Sequence, residues 1–358
     1  MKKTIRILVV EDSLTIRKRL VEVLSADPGL EVVGEAEDGK QGIELCEQLR
    51  PDVVTLDMMM PIMSGVAAAE HIMAYCPTPI LVVSSSTNRG ELYRTYDALA
   101  AGAIDVLDKP RGDERDHAWE ERLRATVKLI SRIKVITHLR ARLGGGRAQS
   151  TPAPALPLRT AAAPAVRVVA LGGSTGSPGA VVQILRALPR DYPLPVLLVI
   201  HINEPFGTAF AEWLDAQLSV RVRYAREGEP LAGARDATVL MAPPGRHLVV
   251  ERGLLRLDGG PERHSCRPSV DVLFHALARD VGAAALGCLL TGMGRDGAEG
   301  LLAMRRAGAA TVAQDEASSV VFGMPREAIL LGAAERVLPV QEIGPALLEA
   351  ARLARGLA

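Results

Sequence analysis

Short runs of β-branched and other apolar residues alternate along the chain with longer stretches in which apolar positions recur every three or four residues. The short runs are typical of buried strands, and the longer stretches predict amphipathic helices between them. Strands that alternate with helices in this way form parallel sheets covered by helices. In the first half of the chain the predicted strands are Ile5–Val10, Val32–Glu35, Val53–Leu56, Ile80–Val83 and Val106–Leu107.

The second half of the chain repeats this alternation and predicts a second, larger sheet. Its pattern is less regular between Leu240 and Leu257, where we expect irregular β structure. The predicted fold class is therefore α/β, with two doubly wound parallel-sheet domains. The strands predicted in this half are Val166–Leu171, Val196–Ile200, Val222–Tyr224, Ala237–Met241, Leu248–Val250, Leu286–Leu290 and Ala310–Ala313.

A segment without a periodic pattern separates the two halves. Residues Gly144–Ala165 begin with three glycines and are then crowded with Pro and Ala, a composition typical of a flexible linker. Before it, the apolar spacing of Glu120–Leu143 predicts a helix that leads out of the first domain. The predicted domains are thus residues 1–126 and 166–355, joined over 127–165 by the exit helix and a Pro/Ala/Gly linker.

Charge and composition exclude several classes of protein. The 42 basic residues balance 42 acidic ones, so no excess of positive charge favours nucleic acid or an anionic membrane as a partner. No apolar run approaches the roughly 18–20 residues needed to span a bilayer. The four cysteines are scattered, so neither a disulfide scaffold nor a zinc site is indicated. We therefore expect a cytoplasmic protein that neither binds nucleic acid nor inserts into a membrane.

Five polar residues follow predicted strands of the first half, at the edge where a parallel α/β sheet binds ligands. Glu11 and Asp12 follow the first strand, and Asp57 follows the third. Carboxylates gathered there would repel one another unless a cation such as Mg²⁺ bound among them. Ser84 and Lys109 follow the last two strands and could contact the oxygens of a phosphoryl group attacked by a carboxylate. Each residue alone could be an ordinary loop residue, but five together favour phosphoryl chemistry.

These residues lie in motifs that resemble those of a response-regulator receiver domain over about Thr4–Ile130. The resemblance implies a five-stranded flavodoxin-like fold in which Asp57 accepts a phosphoryl group from a histidine kinase. It also implies a Mg²⁺ site formed by Glu11, Asp12, Asp57 and the backbone carbonyl of Met59. The matching motifs are Glu11-Asp12-Ser13, Leu56-Asp57 with Pro61 and Gly65, Val83-Ser84-Ser85, Gly102-Ala103-Ile104-Asp105 and Asp108-Lys109-Pro110.

The same resemblance implies roles for the two remaining polar residues. Ser84 would be the switch hydroxyl, and Lys109 would be the cation that contacts the phosphoryl group. Val106 stands three residues before the lysine, where many receivers carry Tyr or Phe. We therefore expect phosphorylation here without the usual aromatic rotamer switch.

In the second half, a strand, a glycine-rich turn and a helix start follow one another. Val166–Leu171 leads into Gly172–Gly179, and a helical pattern covers Val181–Leu188. Such a turn could bind a pyrophosphate, but the glycine spacing of dinucleotide folds is absent. It could instead expose Ser174 as a nucleophile, because Gly172–Gly176 fits the G-x-S-x-G pattern and helix N–H groups could receive an oxyanion. A purely structural turn is the third alternative.

A histidine and an aspartate follow two further predicted strands of this half. His201 comes directly after Pro195–Ile200 and could act as the general base for Ser174. Asp296 lies in the glycine-rich loop Thr291–Gly297 and could orient the imidazole. Alone, each could be a packing histidine or a solvated loop aspartate. Three such residues at strand ends of one sheet favour a Ser-His-Asp triad.

This half resembles the catalytic domain of the chemotaxis protein-glutamate methylesterases (the CheB family), which are two-domain response regulators. The resemblance implies that Ser174 is the nucleophile and His201 the base. It further implies that Asp296 orients the imidazole and that the Met293 N–H belongs to the oxyanion hole. The matching segments are Leu171–Gly176, His201, Met241–His247, Arg267–Phe274, Leu290–Gly297 and Ala313–Ala328.

The activity implied by the resemblance is hydrolysis of glutamate methyl esters in methyl-accepting chemoreceptors, with release of methanol, and deamidation of receptor glutamines. Phosphorylation of Asp57 would relieve inhibition, and the esterase step would need no cofactor. Two stretches depart from the family pattern: Ile202–Pro205, where many members have Met-Pro-Pro, and Cys266, where many have His. We expect neither departure to contact the triad.

Another class of function stays open from the residues alone. The chain could be a phospho-switched binding module, either a transcription factor or a catalytic half that only docks to a partner. Balanced charge and the lack of a helix-turn-helix-like tail argue against DNA binding. Release of methanol from methylated receptor would distinguish an enzyme from a docking module.

Overall fold

The structure of the protein, a computed structural model, describes residues 4–85, 88–110, 116–133, 135, 164–202, 206–231 and 238–354. The chain divides into two compact units between Ala148 and Gln149. Most of the predicted linker, Gly144–Ala165, lies outside the described residues. The predicted domain boundaries at 126 and 166 stay predictions.

The first unit is a parallel sheet of five strands in the order β2-β1-β3-β4-β5. All five predicted strands are present, two with the predicted ends and three with ends that differ by at most two residues. The order reverses direction between β1 and β3, which is where an open α/β sheet binds ligands. The elements are β1 (Ile5–Val10), α1 (Leu14–Ser25), β2 (Leu30–Ala36), α2 (Gly39–Leu49), β3 (Val53–Leu56), α3 (Gly65–Tyr75), β4 (Ile80–Ser84), α4 (Arg89–Ala101), β5 (Asp105–Asp108) and α5 (Asp116–Ile130).

Side-chain caps set where four of these helices begin. Ser13, Asp38, Ser64 and Asn88 precede α1 to α4, and each accepts a hydrogen bond from a backbone N–H of the first turn. Such caps satisfy N–H groups that have no partner inside the helix. The short loops between strand ends and helix starts are fixed in this way, and the polar residues of the site lie in those loops.

The second unit is a parallel sheet of seven strands in the order β14-β13-β12-β6-β7-β9-β8, beside a two-stranded antiparallel sheet. Its elements are β6 (Val168–Gly173), α6 (Ser177–Leu185), β7 (Val196–Ile200), α7 (Phe210–Gln217), β8 (Val222–Tyr224), β9 (Val239–Met241), β10 (His247–Glu251), β11 (Leu254–Asp258), α8 (Val270–Asp280), a 3₁₀ turn (Gly282–Ala284), β12 (Ala285–Leu289), α9 (Ala298–Arg306), β13 (Ala310–Gln314), α10 (Met324–Leu330), β14 (Arg336–Leu338) and α11 (Val340–Ala354).

The central strands of this unit form its buried core. Every residue of β6, β7 and β12 is buried, as expected for strands covered by helices on both faces. Phe274 of α8 and Met304 of α9 belong to the buried cluster that packs on one face of the sheet. From β6 the chain first adds strands on one side and later returns to add β12 on the other. The reversal makes the end of β6 the binding edge of this sheet.

The structure adds three details to the predicted elements. Leu248–Val250 is part of β10, which pairs with β11 as an antiparallel hairpin within the stretch where irregular β structure was predicted. The edge strand β14 was not predicted, because three residues ending the sheet carry too short an apolar pattern. The helix predicted over Glu120–Leu143 is present as α5 up to Ile130, and residues 134 and 136–143 of that prediction lie outside the described residues.

No helix among the described residues is long and apolar enough to cross a membrane.

Candidate active site

Two strand edges carry the residues singled out from the sequence. In the first unit, Lys109 Nζ lies 3.0 Å from Asp57 Oδ1 and 3.0 Å from Glu11 Oε1. Asp12 is exposed at the rim, and carboxylate oxygens of Glu11, Asp12 and Asp57 all lie within 4.8 Å of one another. The structure therefore brings the three predicted carboxylates and the lysine together.

Burial and mutual repulsion dominate the electrostatics of this acidic edge. Burial, followed by the charge of Asp57, raises the pKa of Glu11 to about 7, although Lys109 opposes the rise. Burial also raises the pKa of Asp57 above its usual range, against the favourable effects of Lys109 and of the Met58 and Met59 amides. Burial disfavours the ammonium of Lys109, but Asp57 and Glu11 outweigh it and raise its pKa. One cation thus faces three carboxylates, an arrangement that favours binding of a further cation.

The donor set fits Mg²⁺. Asp57 Oδ2 is buried and has no hydrogen-bond partner among the described residues. An orphaned, buried carboxylate oxygen costs free energy unless a cation or a donor reaches it. Hard oxygen donors at the rim of a cleft, with room for waters and phosphate, are the environment that Mg²⁺ prefers in proteins.

The positions of the remaining predicted residues of this edge do not test the roles predicted for them. Ser84 is buried, and its carbonyl accepts the Lys109 N–H at 3.1 Å, which holds the ends of β4 and β5 together. Met59 is exposed, with its sulfur 3.1 Å from an Arg94 guanidinium nitrogen. Val106 is half-buried on β5. The predicted roles of Ser84 and of the Met59 carbonyl stay predictions.

In the second unit, two neighbouring strands bring Ser174 and His201 to one edge. Gly173 pairs with Ile200 across β6 and β7, and the His201 N–H donates to the Gly173 carbonyl at 3.2 Å. Ser174 follows directly, and its N–H donates to the Thr291 carbonyl at 3.0 Å. The serine is therefore held between the strand that carries the histidine and the loop that follows β12.

The loop after β12 brings the aspartate to the same edge. His201 Nε2 lies 2.8 Å from Asp296 Oδ2. Asp296 is only 2% exposed, so it is not the solvated loop residue considered as an alternative. It occupies the start of α8, where Ser269 Oγ donates to Oδ1 at 2.7 Å and the Val270 N–H donates to Oδ2 at 2.7 Å. The Asp271 N–H adds a third donor at 3.1 Å.

These contacts set the charges of the pair. Burial disfavours the ionised carboxylate, but the hydrogen bonds from His201, Ser269 and Val270 lower the pKa of Asp296 below its usual range. The positive end of the α8 dipole favours the same ionised state. Burial likewise disfavours the imidazolium, but hydrogen bonds with Asp296 and Cys266 raise the pKa of His201 to about 9. These contacts favour a protonated imidazole held by an ionised carboxylate.

The second ring nitrogen of the histidine has an unexpected neighbour. His201 Nδ1 lies 3.5 Å from Cys266 Sγ, so the expectation that Cys266 would not contact the triad was wrong. Within the described part of the chain, Ser174 Oγ makes no hydrogen bond with the imidazole. Because Asp296 holds Nε2, Nδ1 is the nitrogen that remains for a proton from the serine. Residues 203–205, the other departure from the family pattern, lie outside the described residues.

A close approach of two loops positions the predicted oxyanion donor. A Cβ atom at Gly292 would lie 2.8 Å from Ser174 Cβ and 3.0 Å from Ser174 N, so only glycine fits there. The next residue, Met293, is half-buried, and its N–H has no partner among the described residues. An oxyanion hole requires a free N–H close to the serine hydroxyl, and the role of the Met293 N–H in it stays a prediction.

Comparison with known proteins decides the family. The family model described as CheB methylesterase matches residues 169–347, and the one described as response regulator receiver domain matches residues 7–118. A protein of Anaeromyxobacter dehalogenans named protein-glutamate methylesterase/protein-glutamine glutaminase 2 is 44% identical over 98% of this chain and 98% of its own length. The chain belongs to the CheB methylesterase family.

A second curated relative agrees with this membership. A protein-glutamate methylesterase/protein-glutamine glutaminase of Nitrosospira multiformis is 44% identical over 96% of each chain. Among solved structures, the CheB methylesterase catalytic domain of Thermotoga maritima is 31% identical and covers 52% of this chain and 98% of its own, with a TM-score of 0.48. The resemblance stated from the motifs is confirmed, and so is the α/β class with two parallel sheets.

Within this CheB-family site, the sequence interpretation missed two residues. Ser269 caps α8 and donates to Asp296, and its signal was present: a serine directly before a helical apolar pattern, in Arg267–Phe274. Cys266 reaches His201 from the loop between β11 and α8. No local pattern predicts that contact, because it depends on how a long loop returns to the sheet edge.

Proposed function

We propose that Ser174, His201 and Asp296 hydrolyse methyl esters of glutamate side chains in methyl-accepting chemoreceptors, and that the same site deamidates receptor glutamines. The observation that carries the proposal is the 2.8 Å contact of His201 with buried Asp296 at the edge where β6 ends in Ser174. The names of the relatives, which include both methylesterase and glutaminase, supply the substrate chemistry.

The proposed reaction begins with attack of Ser174 Oγ on the γ-carbonyl carbon of the substrate. His201 Nδ1 takes the hydroxyl proton while Asp296 holds Nε2–H and stabilises the resulting imidazolium. The Met293 N–H binds the oxyanion of the tetrahedral intermediate. The imidazolium then protonates the leaving methoxide, and methanol departs from the acyl-enzyme.

Water completes the cycle by the same route. His201 takes a proton from the water, which attacks the acyl carbon, and Ser174 leaves with that proton to release a glutamate side chain. With a glutamine substrate, ammonia replaces methanol as the leaving group. Because the resting imidazole has a pKa of about 9, it must lose its proton before it can serve as the base in the first step.

We further propose that phosphorylation of Asp57 by a histidine kinase relieves inhibition of the esterase. Support comes from the match to receiver domains and from the cluster of Glu11, Asp12 and Asp57. Mg²⁺ held by these carboxylates would neutralise charge on the phosphoryl group during transfer. Lys109 already contacts Asp57 and would hold the phosphoryl oxygens afterwards. We propose a cytoplasmic enzyme, as expected from the sequence.

Methanol release from methylated receptor fragments tests the proposal. The full chain should release methanol, and release should rise when a small phosphodonor and Mg²⁺ are added. Ser174→Ala should abolish release while phosphorylation of Asp57 and the thermal unfolding of the second unit stay as in wild type, which shows that both units are folded. Conversely, Asp57→Ala should keep basal release and lose the stimulation. Hydrolysis that persists in Ser174→Ala would refute the nucleophile.

A further inference from the structure

One thiol of this chain differs from the other three in its surroundings. Cys46, Cys76 and Cys288 are buried, whereas Cys266 is half-exposed at the candidate active site. Its Sγ lies 3.5 Å from His201 Nδ1 and 3.4 Å from the carbonyl oxygen of His264. The sequence suggested no metal-binding cysteine, because the partner of Cys266 is an imidazole 65 residues away along the chain.

The separation of sulfur and nitrogen matches that of two ligands on one metal ion. Zinc binds a thiolate at about 2.3 Å and an imidazole nitrogen at about 2.0–2.1 Å, so a tetrahedral angle sets the two ligand atoms roughly 3.5 Å apart. Cys266 Sγ and His201 Nδ1 lie 3.5 Å apart. A cation could therefore replace the proton between them with little movement of either side chain.

The opposite side of the ring is arranged as in a metal-bound histidine. A metal-ligating imidazole usually donates its other N–H to a carboxylate, which fixes the ring and raises its basicity. His201 Nε2 has this partner in Asp296, 2.8 Å away. Ser269 and the first amides of α8 hold that carboxylate in turn. One ligand atom from each of His201, Cys266 and Asp296 lies within 4.8 Å of the others.

The two other groups of possible metal ligands among the described residues do not pair a thiol with an imidazole. The cluster of Glu11, Asp12 and Asp57 offers only oxygen atoms, which suit Mg²⁺ rather than a thiophilic ion. In the cluster of His264, Asp271 and Glu299, the guanidinium of Arg263 already contacts both carboxylates, at 3.4 Å and 2.8 Å. Among the described residues, sulfur and imidazole ligands meet at His201 and Cys266.

We propose that Cys266 and His201 form a binding site for Zn²⁺ or a similar thiophilic divalent cation, oriented by Asp296, and that its occupation inhibits the hydrolase. Inhibition, unlike binding, rests on the proposed function. A bound cation takes Nδ1, the nitrogen that must accept the proton of Ser174. Binding displaces the proton of the thiol and that of the imidazolium. With two protein ligands and water completing the coordination, the site binds reversibly rather than as a structural zinc.

Cobalt gives a readout that does not depend on activity. Chelator-treated full-length protein, kept in excess Mg²⁺ to fill the oxygen site, is titrated with Co²⁺ and then with Zn²⁺. A thiolate ligand produces a sulfur-to-cobalt charge-transfer band, which Zn²⁺ should abolish by displacement. In parallel, Zn²⁺ should reduce methanol release at least about tenfold, and a chelator should restore it.

Three variants assign the effect to this thiol. Cys266→Ser should lose the cobalt band and weaken Zn²⁺ binding by about 10–100-fold. Cys266→His should lose the band yet still bind Zn²⁺ through two imidazoles, which separates loss of sulfur from loss of fold. Cys288→Ala removes a buried thiol of β12 and should change neither the band nor the inhibition.

Two results would overturn the site: no charge-transfer band in the wild-type protein, or equal inhibition by Zn²⁺ in wild type and Cys266→Ser. Failure of the proposed function looks different. A chain that hydrolyses no methyl ester but shows the Cys266-dependent band would keep the metal site and lose only the inhibition.

Discussion

The two strand edges use carboxylates in opposite ways. At the first edge, Asp57 has a buried oxygen without a partner in the described part of the chain, and the pKa of neighbouring Glu11 is raised to about 7. At the second, Asp296 receives four hydrogen bonds and its pKa is lowered. An under-satisfied carboxylate is ready to bind a cation and to react, whereas a fully satisfied one can only hold a neighbouring group in place. Hydrogen-bond satisfaction thus distinguishes the carboxylate proposed to react from the one proposed to orient the imidazole.

The most severe test of this contrast is Asp296→Asn. The amide can still accept from the start of α8, but it removes the charge that stabilises the imidazolium and favours the wrong tautomer. We expect kcat for methanol release to fall about 10⁴-fold, as in other triads. Steady-state kinetics measure this, with the thermal unfolding of the second unit as the control for folding. A loss below tenfold would mean that Asp296 is a capping residue and not an orienting one.

The close contact of Gly292 with Ser174 gives the next largest effect. A Cβ at position 292 would clash with Met324 Sδ and lie 2.8 Å from Ser174 Cβ, so we expect Gly292→Ala to displace the loop that carries the Met293 N–H. We expect kcat to fall about 10²–10³-fold, the cost of losing one oxyanion donor.

Gly294→Ala is the matched control for that loop. Its Cβ meets nothing within 4 Å, although the φ of +88° makes alanine unfavourable by roughly 1–2 kcal/mol. Equal losses of kcat in the two variants would show that loop strain, rather than displacement of the donor, causes the effect.

The charge of the resting pair predicts a pH profile. Since the pKa of His201 is raised to about 9, the fraction of neutral base, and with it kcat/KM, should rise about tenfold per pH unit up to that value. Cys266→Ser removes a contact that favours the imidazolium, so the rising limb of the pH profile of kcat/KM should move to lower pH. A limb that stays in place in Cys266→Ser would exclude the thiol as a cause of the raised pKa.

The smallest effect concerns stability of the first unit. Glu11 ionises near 4.5 when unfolded but near 7 when folded, so the folded state binds more protons between these values. Its contribution to the free energy of unfolding therefore decreases as pH rises from about 4.5 to 7 in metal-free buffer. Calorimetry should show Tm of this unit falling by a few degrees, and Mg²⁺ should reverse the fall. Glu11→Gln should flatten the dependence; an unchanged slope would assign it to another group.

The pattern of the sequence predicted most of both sheets and the edge positions of the site. Strand ends of a parallel sheet meet at one edge, so Ser174, His201 and Asp296 could be brought together before any coordinates were known. The position of Asp296 at the start of α8 and the contact of Cys266 with His201 could not be predicted, because both join loops that are distant in sequence. The hairpin of β10 lies where irregular β structure was predicted, but its pairing with β11 was not, because a short apolar run does not reveal which strand it joins.

Asp296 makes two kinds of contact: its carboxylate holds the imidazole of His201, and it accepts hydrogen bonds from backbone N–H groups in the first turn of α8. Tilting that helix would therefore shift the ring with it, even if nothing came near the serine. The rate of hydrolysis therefore depends on how α8 packs. A substitution of a residue that packs against α8, far from any substrate, would change the turnover rate before it unfolded the protein.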